Sequence, residues 1–228
     1  MRFTNLSTES DEYRRARDDL RLAEVELMRH REQVAEMRRG LPLGPTVPDY
    51  EFIECISPGD SSDGPAQSVR LHELFSDLGR PLIAYHLMFG KSQTTPCPMC
   101  TMWIDGFSGI AHHVAQNADF VVVAAADVGP LQDHAHTRGW TGIRLLSAGS
   151  STFKYDLGSE DADGNQDSRV SVFVQDLDGG VRHFYTSAPC MSDDIDQRGI
   201  DLLCPTWHLL DLTPSGRDDW YASLKYAP

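Results

Sequence analysis

Two apolar runs constrain this chain more than anything else in it. They are Leu82-Ile83-Ala84-Tyr85-His86-Leu87-Met88-Phe89 and Phe120-Val121-Val122-Val123-Ala124-Ala125-Ala126. Both are shorter than a bilayer span requires. Runs of this kind suit central strands buried on both faces of a sheet. The segment between them opens with Cys97-Pro98-Met99-Cys100 and reads as a helix from Cys97 to Asn117. Strand, helix and strand in this order make a βαβ unit, with a pair of thiols where the helix begins.

The remaining chain supplies the other parts of an α/β domain. Residues 9–39 read as one long charged helix whose apolar residues, Ala16, Leu20, Ala23, Leu27, Val34 and Met37 with His30, form one narrow seam. Arg38 and Arg39 suit the dipole at its end, and Gly40 and Pro42 stop it. Pro42, Pro45 and Pro48 make a stiff connector, so residues 1–48 form an N-terminal arm and 49–228 the domain. Tyr50–Cys55 reads as a short strand, 57–67 as an exposed loop, and Val69–Leu78 as a helical turn or two. Residues 130–139 read as a helix stopped by Gly139, Ile143–Leu146 as a strand, and Ser147–Asp167 as a long loop. Val170, Val172 and Val174 then alternate, Asp178-Gly179-Gly180 turns, and Val181–Thr186 returns as a hairpin partner. Ile200–Leu210 is partly helical, and 211–217 is a turn. The order βαβα, hairpin, helix predicts a thioredoxin-like fold: a central mixed sheet flanked by helices.

A Cys-x-x-Cys beside a βαβ unit reads as a redox motif. Unpaired backbone N–H groups at a helix N-terminus favour the thiolate of Cys97, and Pro98 has no N–H to lose in the first turn. Cys97 is then the nucleophile, and Cys100, one turn on, resolves the mixed disulfide. Two other readings stand beside this one. The thiols are reduced core residues, or they hold half of a metal site. Zinc wants four ligands, and the chain has no second Cys-x-x-Cys. His86 and several methionines suit a soft metal, whereas His112-His113 lie about 18 Å along the helix from the dithiol. Trp103 and Phe107 follow on the dithiol helix as pocket wall or core. Trp140 and Trp207 read as core aromatics, and Cys190 and Cys204 as buried and inert.

Several pieces of the chain resemble an uncharacterised bacterial thioredoxin-like family, the domain-of-unknown-function family eight-nine-nine. They are Arg38-Arg39-Gly40-Leu41-Pro42, Tyr85-His86-Leu87-Met88-Phe89, Cys97-Pro98-Met99-Cys100, Asp105-Gly106-Phe107, Arg138-Gly139-Trp140, Val172-Phe173 and Leu210-Asp211-Leu212-Thr213-Pro214-Ser215-Gly216-Arg217. Members carry the label of predicted dithiol–disulfide oxidoreductases. The resemblance implies that activity, with Cys97 and Cys100 catalytic, but no particular substrate. Two departures from the wider thioredoxin pattern matter. Asn165-Gln166-Asp167-Ser168-Arg169 holds no proline before the hairpin strand, where that fold places a substrate-docking one. Ala84-Tyr85-His86 stands where thioredoxins carry a buried acid, which makes His86 a candidate proton relay. A second enzyme reading follows from Thr94-Thr95-Pro96-Cys97. Peroxiredoxins place a Thr three residues before their peroxide-reducing Cys, as Thr94 stands here, and a Pro four before that, where this chain has Gly90. Arg144 or Arg169 would supply the guanidinium. The expected site is therefore Cys97 and Cys100 with His86, Thr94, Pro98, Met99, Trp103 and Arg169 around them.

The charge balance, 34 acidic against 20 basic side chains and a net charge of −14, argues against nucleic acid and anionic membrane as partners. Met1–Asn5 lacks a signal-peptide core, so a cytoplasmic protein is expected, with its thiols reduced. No dinucleotide or phosphate-loop fingerprint is present, and no cofactor is implied. The expected partner is a thiol or disulfide substrate, protein or small molecule. The helical arm adds an expectation of self-association as a homodimer through residues 9–39. The same arm supports a non-enzymatic alternative, a binding or scaffold module with a vestigial dithiol.

Overall fold

Ser10 starts the first helix, its hydroxyl accepting a hydrogen bond from the Tyr13 backbone N–H at 3.1 Å. The computed structural model describes residues 8–55, 66–195 and 198–226. Expectations for Met1–Asn5 and for most of the 57–67 loop fall outside these. Helix α1 (Asp11–Arg39) has Asp11 and Glu12 in its first turn and Arg38 and Arg39 in its last, and it buries none of its residues. Leu20, Leu27 and Met37 of its seam are 60%, 56% and 72% exposed. The chain divides into two units between Pro42 and Leu43, and α1 makes up most of the first. None of the described helices is long and apolar enough to cross a membrane.

In the second unit the described strands form one seven-stranded sheet. They are β1 (Glu51–Glu54), β2 (Gln67–Arg70), β3 (Leu82–His86), β4 (Asp119–Ala124), β5 (Arg144–Ser147), β6 (Arg169–Gln175) and β7 (Val181–Ser187). Their order is β2-β1-β5-β4-β3-β6-β7. The strands β3, β4 and β5 run parallel, while β1 and β6 join them antiparallel. The two apolar runs thus lie side by side at the centre, as buried parallel strands should.

Alternation along the central strands sends side chains into two cores. On one face Tyr85, Val122 and Ala124 pack with Trp103, Ile104 and Phe107 of α2 (Pro98–Val114), with Leu131 and Ala135 of α3 (Val128–Arg138), and with Trp207 of α5 (Pro205–Leu210). On the other, Leu82, Ala84, Val121 and Val123 pack with Phe52, Leu71, Leu74 and Phe173. Phe153 of α4 (Phe153–Asp156) completes this second layer. Gly139 ends α3 in the left-handed region at φ 67°, and the Trp140 N–H returns to the Ala135 carbonyl at 3.0 Å. The Trp140 indole N–H is then taken by Asp105 Oδ1 at 2.8 Å.

Three segments differ from the sequence expectation. Val69 and Arg70 are not helical. They pair with Phe52 and Glu51 as part of β2, and a single 3₁₀ turn, Leu71–Leu74, follows. Residues 147–167 are not all loop, because α4 lies among them with Phe153 and Lys154 fully buried. Residues 45–47 lie along β7, where His183 N–H bonds the Pro45 carbonyl and Val47 N–H bonds the Val181 carbonyl, at 3.0 and 2.9 Å.

Candidate active site

β3 delivers the chain to the dithiol. Beyond His86 the backbone still bonds β4, Leu87 N–H to the Val123 carbonyl at 2.9 Å, and Cys97 N–H is tied back to the Met88 carbonyl at 3.0 Å. Cys97 takes the N-cap position of α2, with φ −59° and ψ 127°, and Pro98 occupies the first turn. Three residues on, Cys100 faces the core with Trp103, Ile104 and Phe107, the spacing of a helix face. All described cysteines are free thiols. Cys97 is partly exposed and Cys100 buried.

The two sulfurs are electrostatically unequal. The Cys97 thiol is pulled down to about 6, chiefly by the hydrogen bond from the Cys100 thiol, against the cost of burial. The backbone N–H groups of Cys100 and Met99 add to this, as does the Tyr221 hydroxyl, 4.0 Å from the sulfur. That same bond to Cys97, together with burial, pushes Cys100 well above the usual thiol range. Hydrogen bonds from the Tyr85 hydroxyl and the Met88 N–H act in the other direction on Cys100. Burial raises Tyr85 well above the ordinary phenol value and Tyr221 to about 12, so both remain protonated donors at neutral pH.

A cavity of about 410 Å³ opens on the dithiol. Cys97, Met99, Cys100 and Trp103 form one wall, Tyr85 and Met88 another, and Asp167 and Ser168 stand where β6 begins. Pro189 and Cys190 follow from the turn after β7, and the C-terminal region adds Asp201, Trp207, Arg217, Trp220 and Tyr221 among others. Asp201 is 5% exposed, and its Oδ2 accepts from Arg198 at 3.1 Å and Arg217 at 2.6 Å. Its Oδ1 is buried with no hydrogen-bond partner, as is the Trp103 indole N–H. Arg217 also stacks over the Trp207 ring, 4.9 Å from its centroid.

Of the residues expected at the site, Cys97, Met99, Cys100 and Trp103 come together at this cavity. Pro98 shapes the start of α2 beside it. Thr94 is exposed in the preceding turn and does not line the cavity. His86 points to the opposite face of the sheet, as its place one residue after Tyr85 requires. Its Nδ1 lies 2.7 Å from Ser159 Oγ and its Nε2 3.0 Å from Ser171 Oγ, and its ring stacks on Phe153. Burial, with Lys154 beyond, holds His86 well below the usual imidazole range. It is a neutral core histidine and has no contact with the dithiol cavity. Arg169 binds the Gly158 carbonyl at 2.6 Å and Asp167 at 3.2 Å, and Arg144 is held by Glu54 at 2.7 Å; neither lines the cavity. Cys204 is buried as expected, but Cys190 is exposed and lines the cavity. Trp207 is a cavity wall as well as a core residue. Among the described residues no group of three or more His, Cys, Asp or Glu is placed to hold a metal ion.

The sequence reading missed Tyr221, Arg217 and Asp201. Of these only Arg217 lies in a stretch the sequence singled out, Leu210–Arg217, read as a turn and as part of a family likeness.

The sequence model of a family described as a bacterial protein of unknown function, DUF899, matches residues 4–227. No curated protein matches the chain. Among solved structures, Mycobacterium bovis AhpC aligns with a TM-score of 0.51 at 16% identity, over 82% of this chain and 98% of that one. A cysteine-to-serine mutant of Xylella fastidiosa PrxQ aligns at 0.48 and 11% identity, over 72% and 93%. The peroxidoxin BcpB from Mycobacterium tuberculosis aligns at 0.47 and 19%, over 75% and 98%. The likeness to AhpC shows a shared fold, the thioredoxin-like mixed sheet expected from the order of elements.

Proposed function

We propose that this chain, which belongs to the DUF899 family of bacterial proteins, is a thiol–disulfide oxidoreductase in which Cys97 attacks and Cys100 resolves. The observation that carries this is the inequality of the pair: a partly exposed thiol held near 6 on a cavity, with a buried, high-pKa thiol one turn beneath it. The Cys97 thiolate attacks one sulfur of a substrate disulfide R–S–S–R. The Cys97–SR bond forms, and RS⁻ leaves and takes up a proton. Cys100 then loses its proton and attacks the Cys97 sulfur, closing Cys97–Cys100 and releasing the second RS⁻. The substrate gains two electrons and the dithiol loses two. In the reverse direction Cys100 is the leaving group. The Tyr85 O–H and Met88 N–H are its donors and would receive the negative charge. A cavity of about 410 Å³ is of small-molecule size, which favours a low-molecular-weight disulfide over a folded protein.

The test uses 2-hydroxyethyl disulfide and counts thiols. Two thiols should disappear per reduced chain and return with dithiothreitol, and Cys97→Ser should abolish the reaction at this site. A thiol count that does not fall, or that falls equally in Cys97→Ser, would rule the proposal out and leave the scaffold reading.

One observation favours a second reading, peroxide reduction. That chemistry wants a hydroxyl and a guanidinium beside the thiolate, and the cavity offers Tyr221 and Arg217. Hydrogen peroxide mixed with reduced protein in stopped flow separates the two. Exchange chemistry predicts a rate near that of a free thiolate. A rate orders of magnitude higher, lost in Tyr221→Phe and unaffected by Thr94→Val, would reverse the ranking.

A further inference from the structure

Three cysteines line one cavity: Cys97, Cys100 and Cys190. The third comes from a separate part of the chain, the turn that leaves β7, and it is exposed to solvent. We propose that Cys190 is a second resolving thiol, which closes a disulfide with Cys97 and carries the oxidation from the cavity to the surface. This rests on Cys97 being the nucleophile.

The fold holds Cys190 at the cavity rim. The residue before it, Pro189, accepts a hydrogen bond from the Gly199 N–H at 2.6 Å, and this closes the base of the turn just after β7. A Cβ at position 199 would stand 2.0 Å from the Ala188 carbonyl oxygen, so only glycine allows that closure. Cys190 is therefore held in the wall of the cavity that also contains the dithiol, and it stays exposed to solvent.

Chemistry gives it a task that it shares with Cys100. Once Cys97 carries a half-disulfide Cys97–S–S–R, a second thiolate must attack the Cys97 sulfur. Cys100 lies buried beneath Cys97, and burial disfavours its thiolate. Cys190 meets the cavity from the solvent side. Its thiolate attacks Cys97 Sγ, the Cys190–Cys97 bond forms, and RS⁻ leaves and is protonated. The substrate disulfide is thereby reduced to two thiols by the pair Cys97 and Cys190. In the return direction an external low-molecular-weight thiol attacks the exposed Cys190 sulfur and expels Cys97. The low pKa of Cys97 makes it a good leaving group. A second external thiol then frees Cys190 and leaves as the external disulfide.

The experiment oxidises full-length reduced Cys100→Ser with one equivalent of 2-hydroxyethyl disulfide and reads intact mass and linked peptides. The expected product is lighter than the reduced chain by two hydrogens and yields a Cys97–Cys190 cross-linked peptide. Cys100→Ser with Cys190→Ser should stop at the mercaptoethanol adduct on Cys97. As Cys190 is exposed, Cys190→Ser alone leaves the fold intact, and it should slow reduction of the oxidised protein by dithiothreitol severalfold. The inference is overturned if Cys100→Ser accumulates the Cys97 adduct with no intramolecular cross-link, since a disulfide needs the two Cα atoms within about 4.4–6.8 Å. It falls with the exchange reading, by a different result, if Cys97 takes up no mercaptoethanol in any variant.

Discussion

At the scale of single residues, the site turns on who donates to whom. The largest cause of the low Cys97 value is the hydrogen bond from Cys100, not the helix alone. Cys100→Ala should therefore raise the inflection in the rate of Cys97 alkylation from about pH 6, measured with iodoacetamide against pH. A hydrogen bond to a charged group is worth ~1.5–3 kcal/mol, so the shift should be about one to two units. An unmoved inflection would mean that the helix N-terminus and Tyr221 suffice. The pair itself was legible in the sequence, because two thiols three apart at a helix start are a local pattern. So, in principle, was the placing of His86. Once Tyr85 faces the dithiol helix, strand alternation sends its neighbour to the other side. Tyr221 and Arg217 were not legible, because more than a hundred residues separate them from Cys97 and no periodicity spans that gap.

At the scale of elements, the long and strongly patterned segments declared themselves: the central strands, the dithiol helix, α3 and the hairpin. The short ones did not. β2 is four residues long, and its one buried residue, Val69, matched a helical turn as well as a strand. α4 is a single turn inside a polar stretch, too short for any period to register, yet it places Lys154 in the core. There the amine donates to the Leu87 carbonyl at 2.9 Å, and burial brings its pKa from 10.5 down to about 8. Below pH 8 the amine is charged in both the folded and unfolded chain, and the cost of burying it is present in full. Between 8 and 10.5 the folded protein sheds a proton that the unfolded chain keeps, so this group's contribution to stability rises with pH. Lys154→Met should remove that rise. Urea unfolding of the reduced proteins at pH 8 and pH 10 should show wild type gaining about 2 kcal/mol relative to the variant. Equal pH dependence in the two proteins would show that Lys154 is not the titrating group.

At the scale of the whole molecule, the helical arm keeps its apolar seam in the open. Leu20 and Leu27 lie seven residues apart and are both more than half exposed, although they sit on a helix of otherwise charged composition. Such a seam suits a second copy of itself. A homodimer is expected by sedimentation at tens of micromolar, and the full-length double variant Leu20→Asp, Leu27→Asp should sediment as a monomer. A monomeric wild type would rule this out. The charge of −14 does not oppose a pairing of this kind, since α1 carries Arg and Glu in neighbouring turns, as in the Arg29–Glu26 and Arg39–Glu36 pairs.

The cavity walls have one more consequence. Trp103, Trp207 and Trp220, three of the chain's four tryptophans, look onto the thiols. A disulfide accepts an electron from an excited indole, whereas a pair of thiols does so far less well. The ultraviolet emission of the protein is therefore a built-in gauge of its oxidation state. It should brighten on reduction and dim on oxidation, with no dye or label attached.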